Sequence, residues 1–296
     1  MSKYYATHLA TTLQTILPRG LTKKRRSLSK STSVFLRSRT KIVFNESQQS
    51  AIDTIAAMSP GTALLHGITG SGKTAVYIEL VRRTLAHHQS AIVLVPEIAL
   101  TSQLVADFTQ HFPNIVVTHS RQTEAERHTI WLKVATHDQP LVIIGPRSAL
   151  FMPAKNLGLI VIDEAHEPSY KQEQSPRYSA LRVASILAQN THAKVIQGSA
   201  TPLVSEYYIA TMAKRPIITM NHKARHDTVA PTVTCIDMTK RLHFSRHRLF
   251  SNELLKSLEQ NLEQKQQSLI FHNRRGSAST TLCEHCGWSA LCGRCF

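Results

Sequence analysis

Five short apolar runs punctuate the first two thirds of the chain: Ala63–Leu65, Ala91–Val95, Leu141–Ile144, Leu159–Ile162 and Ala193–Ile196. They are mostly continuous rather than alternating, the pattern of strands buried on both faces. Stretches with helical spacing follow them, as from Thr74 to Leu85 and from Thr101 onward. Strand, loop and helix repeating through residues 62–201 predict a parallel sheet covered by helices. Ahead of the first strand, Asn45 and Gln48 form a capping-box pair opening a helix. Tyr4–Leu17 has helical apolar spacing (Leu9, Leu13, Ile16, Leu17) that stops at Pro18. Past residue 203 a helix to about Thr211 leads into a basic irregular connection. A second α/β pattern then begins, with a helix capped by Ser251 running through Gln264 and a strand at Ser268–Phe271.

The strand ends carry the chemistry. Gly67-Ile68-Thr69-Gly70-Ser71-Gly72-Lys73-Thr74 has the spacing of a phosphate-binding loop, between a strand and a helix as that loop requires. Its glycines let backbone N–H groups converge on one spot, with the positive end of the next helix behind them. Lys73 would reach the β- and γ-phosphates of ATP, and Thr74 would ligate Mg²⁺. The run Leu159–Ile162 delivers Asp163, Glu164 and His166 to the carboxyl edge of the sheet. Asp163 would hold the same Mg²⁺, and Glu164 would polarise the attacking water. Gly198-Ser199-Ala200-Thr201-Pro202 closes the next run. Phosphate loop, Asp-Glu-Ala-His and Ser-Ala-Thr, in this order, resemble superfamily 2 helicases, motor ATPases that move on nucleic acid. That resemblance gives His166, Ser199 and Thr201 the task of coupling hydrolysis to DNA. It also makes Gln48, 25 residues before Lys73, a reader of the adenine edge, alongside its local capping role.

Further loops offer DNA contacts. Thr101, after Val95-Pro96-Glu97-Ile98, and Arg147, after Ile144-Gly145-Pro146, stand where hydroxyl and guanidinium groups meet phosphates. Residues 167–178, with two prolines and little apolar content, read as an exposed loop. There Tyr170 would stack on unpaired bases and Lys171 and Arg177 would hold the backbone.

Charge changes the picture at the amino terminus. The 296 residues carry a formal +16, yet ten of the 35 Lys and Arg fall in residues 1–45, where there is no acid. The remaining 25 bases face 19 acids, so the region beyond is only mildly basic. Gly20–Lys41, with Lys23-Lys24-Arg25-Arg26, is a solvated linker or a phosphate-contacting arm; its composition also resembles an organelle transit peptide. No apolar run reaches about 18 residues, so no membrane span is expected. Four of the five cysteines, Cys283, Cys286, Cys292 and Cys295, form two Cys-x-x-Cys pairs in the last 14 residues. That spacing points to metal in a reducing cytoplasm rather than to disulfides.

Taken together, His66–Thr74, Val95-Pro-Glu-Ile98, Gly145-Pro-Arg-Ser-Ala-Leu-Phe151 and Asp163-Glu-Ala-His-Glu-Pro-Ser-Tyr-Lys-Gln172 resemble the PriA family of bacterial replication-restart helicases. Gly198–Pro202 and Asn273-Arg-Arg-Gly276 followed by Cys283-x-x-Cys-Gly-Trp288 extend the likeness to about residues 44–296. The resemblance implies a RecA-like lobe 1 and 3′-to-5′ DNA unwinding coupled to ATP hydrolysis. It implies single-stranded and forked DNA, replication-restart and primosome proteins as partners, and Zn²⁺ in an insertion of lobe 2. The expected divisions are a basic arm at 1–43 (a remnant of an amino-terminal DNA-binding region), lobe 1 at 44–215 and a connection at 216–250. The start of lobe 2, with a partial zinc insertion, is expected at 251–296. Departures from the family pattern are Pro146 in place of Thr, and Leu181-Arg182 in place of Arg-Asp. Two cysteine pairs stand where the family has four, leaving each expected zinc half its ligands or forcing one cramped Cys₄ site. The sequence also reads as truncated at both ends, stopping before the rest of lobe 2 and its arginine finger. Two rival readings are a non-catalytic ATP- and DNA-binding fragment and a zinc-ribbon adaptor.

Overall fold

The computed structural model describes residues 2–18, 42–96, 103–224, 232–247, 250–271 and 286. The chain divides into two compact units, Met1–Thr228 and Val229–Phe296.

The first unit is a doubly wound α/β layer structure. Its helices are α1 (Leu9–Ile16), α2 (Glu46–Ala57), α3 (Lys73–Ala86), α4 (Gln103–His111), α5 (Glu124–Thr136), α6 (Ala180–Thr191) and α7 (Val204–Met212). The central strands are β1 (Gly61–Gly67), β2 (Ser90–Leu94), β3 (Ile115–Val117), β4 (Val142–Gly145) and β5 (Leu157–Ile162). A small hairpin, β6 (Lys171–Gln172) and β7 (Tyr178–Ser179), precedes β8 (Lys194–Ser199) and β9 (Ile217–Met220). Seven strands form one sheet in the order β3-β4-β2-β5-β8-β1-β9, parallel at every pairing.

The continuous apolar runs are continuous because both faces are covered. Along β2, Val93 faces one core while Ile92 and Leu94 face the other; β5 divides likewise, Val161 against Ile160 and Ile162. Helices α2, α3 and α4 close the first face with Ile52, Ile55, Val76, Val81 and Phe108, joined by Phe112 just past α4. On the second face lie Val134 of α5 and Ala180, Ala184 and Ala188 of α6, whose small side chains let α6 approach closely. The predicted capping box is formed, Asn45 and Gln48 bonding reciprocally at α2, and a second, not foreseen, joins Thr123 and Glu126 at α5.

The sheet runs past residue 215. Residues 217–220, expected within the connection, add β9 to the outer edge of β1. This matters because the Ile68 amide, just beyond β1, donates to the Met220 carbonyl at 3.1 Å.

In the second unit Ser251 caps α8 (Asn252–Glu263), its side chain accepting the Leu254 amide at 3.1 Å. Ser268–Phe271 is irregular rather than a strand, and Leu269 is 93% exposed. An apolar run becomes a strand only beside a partner ladder, and no described strand of this unit offers one. Among the described residues, no helix is long and apolar enough to cross a membrane.

Candidate nucleotide and nucleic-acid site

β1 ends at Gly67 and α3 begins at Lys73, so the loop between them opens at the carboxyl edge of the sheet. Gly70 and Gly72 take φ of 77° and 81°, in the left-handed region where side chains are strained. Gly67 is needed for space instead: a Cβ there would lie 2.6 Å from Ser71 Oγ. The loop is braced from outside. Gln48 donates its amide Nε2–H to the Ser71 carbonyl at 3.1 Å, while its Oε1 accepts the Asn45 amide. Ala224 N–H donates to the Gly70 carbonyl at 2.8 Å. Gln48 is therefore buried, and both of its ends are engaged in holding the helix start and the loop together.

Lys73 is buried, and its Nζ donates to the Gly67 carbonyl at 2.9 Å. Ser71 Oγ is buried without a hydrogen-bond partner, a cost a phosphate oxygen would remove. Thr74 lies in the first turn of α3, half-buried. Two glycines in the left-handed region, an orphaned hydroxyl, a lysine and the positive end of a 14-residue helix fit a triphosphate.

Asp163 follows β5, one strand removed from β1 across β8. Its carboxylate accepts the Tyr77 hydroxyl at 3.1 Å, and its carbonyl accepts the Tyr170 hydroxyl at 2.7 Å. Burial, and then the negative charge of Glu164, push its pKa up to about 6, against the Tyr77 bond and the charge of Lys73, which lower it. A divalent cation bound there would favour the ionised form. Tyr77 is fully buried and its own pKa is raised well above the usual value, chiefly by burial and then by Asp163. Glu164 sits at φ 45°, its Oε2 3.5 Å from His166 Nδ1. His166 Nδ1 shares a 2.8 Å hydrogen bond with Ser199 Oγ, which also accepts the Thr201 amide at 3.0 Å. One hydroxyl thus ties the loop after β5 to the loop after β8.

The segment after Asp163 departs from expectation. It is not an open loop: the hairpin β6–β7 folds back, and Tyr170 and Tyr178 are each 2% exposed. Tyr170 is a buried strut under Asp163 rather than a stacking platform, because its hydroxyl finds a carbonyl inside. Ser199 is fully buried, its hydroxyl engaged by His166 and by the Thr201 amide. Lys171 and Arg177 are exposed beside Glu173, with Lys171 Nζ 3.9 Å from its carboxylate and Arg177 Nε donating to its carbonyl. Thr201 is also exposed. Arg147 donates from Nη1 to the Ser169 and Lys171 carbonyls at 2.7 and 3.1 Å, so it pins the hairpin's approach. Thr101, Glu97, Ile98, the arm at 19–41 and Asn273–Gly276 lie outside the described residues, as do Cys283, Cys292 and Cys295. Cys286 is exposed, and no cluster of three or more metal-ligating side chains occurs among the described residues.

Sequence reasoning missed Tyr77 and the reason for Gly198. The available signal was position: Tyr77 is one helical turn beyond Lys73, a polar-tipped side chain on a buried face.

Residues 45–208 match the DEAD/DEAH box helicase family over more than half of the chain. The chain belongs to the DEAD/DEAH box helicase family. Within it, this helicase chain is 41% identical over 233 residues to the replication restart protein PriA of Bacillus subtilis (strain 168), covering 78% of the chain and 29% of that relative. It is 34% identical over 298 residues to the PriA of Rickettsia conorii, covering all of the chain and 45% of that relative. The chain thus spans less than half the length of these curated relatives. Among solved structures, RecG bound to a three-way DNA junction superposes with a TM-score of 0.54 at 19% identity, covering 76% of this chain and 28% of that one. That likeness shares the fold. A helicase of this family uses ATP with Mg²⁺, and the residues around Lys73 and Asp163 are suited to both.

Proposed function

We propose that the chain is the nucleotide-binding motor lobe of a PriA-type replication-restart helicase, with the start of its second lobe. The observation that carries this reading is Asp163: its carboxyl and carbonyl are each fixed by a tyrosine hydroxyl, at the sheet edge shared with the Lys73 loop. Lys73 holds the phosphates of ATP together with backbone amides of the loop and the first turn of α3. Thr74 and Asp163 ligate Mg²⁺, which supplies charge neutralisation of the transferring phosphoryl group. Glu164 orients and polarises the attacking water. Gln48 reads the adenine edge by releasing its Nε2 from the Ser71 carbonyl when nucleotide enters. The contact of His166 with Ser199, and of Ser199 with Thr201, couples the hydrolytic loop to DNA. Arg147, Lys171, Arg177 and Thr201 contact the DNA backbone, with Thr101 on the neighbouring loop.

Single-stranded and forked DNA are the substrates, with movement 3′ to 5′, and replication-restart proteins are the partners. The identity to PriA proteins supports this assignment. The cysteine pairs Cys283/Cys286 and Cys292/Cys295 bind Zn²⁺, and the cytoplasm is the compartment. Measurement of ATP turnover with and without single-stranded DNA tests the motor. Turnover that rises with DNA and vanishes in Lys73→Ala is expected; no stimulated turnover overturns it. The alternative reading is an ATP- and DNA-binding unit without turnover. Nucleotide binding that is retained without hydrolysis selects it.

A further inference from the structure

Tyr77 has a location that neither phosphate binding nor core packing requires. It is on α3, one turn after Lys73, and fully buried in a layer of aliphatic side chains. A leucine would fill that layer without bringing a hydroxyl into it. Instead the ring crosses the carboxyl end of β8 to reach the Asp163 carboxylate at 3.1 Å. It can cross only because residue 198 has no side chain: a Cβ on Gly198 would lie 1.7 Å from the Tyr77 hydroxyl oxygen and 2.9 Å from Cζ. Gly198 is not in a conformation that demands glycine, since its φ is not positive. The space itself is therefore what the glycine supplies.

We infer that Tyr77 is a positioning residue that aims the Asp163 carboxylate at the phosphate loop, with Gly198 as the slot through which it acts. The geometry has three parts. The helix that presents Lys73 also presents Tyr77, so the lysine and the aspartate are referenced to one rigid element. The backbone of Asp163 is fixed independently, by its amide on the Leu94 carbonyl at 2.9 Å and by Tyr170 on its own carbonyl. What remains loose is rotation of the side chain. The Tyr77 hydroxyl occupies Oδ1, which leaves Oδ2 as the oxygen to face a cation. A carboxylate with one oxygen committed to a phenol is held in one orientation before any cation arrives, which lowers the cost of binding it.

The inference rests on the reading of the site as one for nucleotide with a divalent cation. Its test is binding of a fluorescent ATP analogue to the full chain, titrated with Mg²⁺ and repeated in excess chelator, with thermal unfolding in parallel. Tyr77→Phe keeps the ring and removes the hydroxyl. It should raise the half-saturating Mg²⁺ about tenfold, the size of one charge-assisted hydrogen bond, while affinity in chelator stays within twofold. A merely structural role would move both affinities together. Gly198→Ala keeps the hydroxyl but drives it from its slot, and should give the same selective loss of Mg²⁺ dependence. Either variant that unfolds cooperatively and keeps the parental half-saturating Mg²⁺ overturns the inference alone. A parent protein without Mg²⁺-dependent nucleotide binding overturns the site assignment, and this inference with it.

Discussion

Ser199→Ala separates holding nucleotide from responding to DNA. The hydroxyl removed is fully buried and makes two hydrogen bonds, one shared with His166 Nδ1 at 2.8 Å and one accepted from the Thr201 amide at 3.0 Å. Each bond is worth about 1 kcal/mol net. The partners are not sealed in: the His166 side chain is 28% exposed and Thr201 is exposed. Water can replace part of what is lost, so the change should cost about 1–2 kcal/mol. For a unit of residues 1–228, that lowers Tm by about 2–8 °C. None of the residues around Lys73 is touched, so affinity for ATP should stay within about twofold. What should disappear is the link between the exposed Thr201 and the loop bearing Glu164 and His166. The assay is steady-state ATP turnover across a titration of single-stranded DNA, alongside DNA affinity by fluorescence anisotropy. The expected result is DNA binding within threefold of the parent and a several-fold smaller stimulation of turnover. Parental stimulation in a variant with the predicted drop in Tm would refute the coupling role, since the bonds would then be absent and the response intact.

Other perturbations address the remaining parts. Gly72→Ala forces a side chain into φ 81° and places its Cβ 2.2 Å from Gln48 Nε2; nucleotide binding should be lost and stability should fall by at least about 1 kcal/mol, by calorimetry. Gln48→Ala removes both the capping partner of Asn45 and the brace on Ser71. It should cost about 1–2 kcal/mol and erode the preference for ATP over GTP in competition binding, a preference that stays intact if Gln48 only caps. Tyr170→Phe deletes the buried donor to the Asp163 carbonyl and should destabilise by about 1–2 kcal/mol, whereas a base-stacking tyrosine would lose nothing, because phenylalanine stacks as well, and Tm would stay put. Elemental analysis of protein purified under reducing conditions should find zinc that a chelator removes with exposure of the cysteine thiols. Zinc-free protein with intact ATP binding would exclude the metal role.

The sheet and the phosphate loop were legible because both rest on local rules. Continuous Val, Ile and Leu runs report two-sided burial, and the Gly67–Thr74 spacing reports a strand-to-helix turn around an anion. The capping box at Asn45 is equally local. What escaped is long-range. Tyr170 sits among Pro, Gln and Ser, which reads as an open loop, whereas Arg147, more than twenty residues earlier, bonds the carbonyls on either side of it and Asp163 takes its hydroxyl. Strand β9 was hidden because Ile217–Met220 has Thr219 in a run of only four residues. Its pairing with β1 decides it, not its own pattern. Tyr77 and Gly198 are 121 positions apart in the sequence, and neither looks unusual until the distance between them is known.

Arg147 grips the chain on either side of one residue, at the carbonyls of Ser169 and Lys171. Between those grips stands Tyr170, whose far end bears on Asp163. The guanidinium is thus a bracket whose hinge pin is seated on Asp163. Anything that drew the bracket outward would slacken the pin as it did so, turning a tug at the molecular surface into a displacement of Asp163.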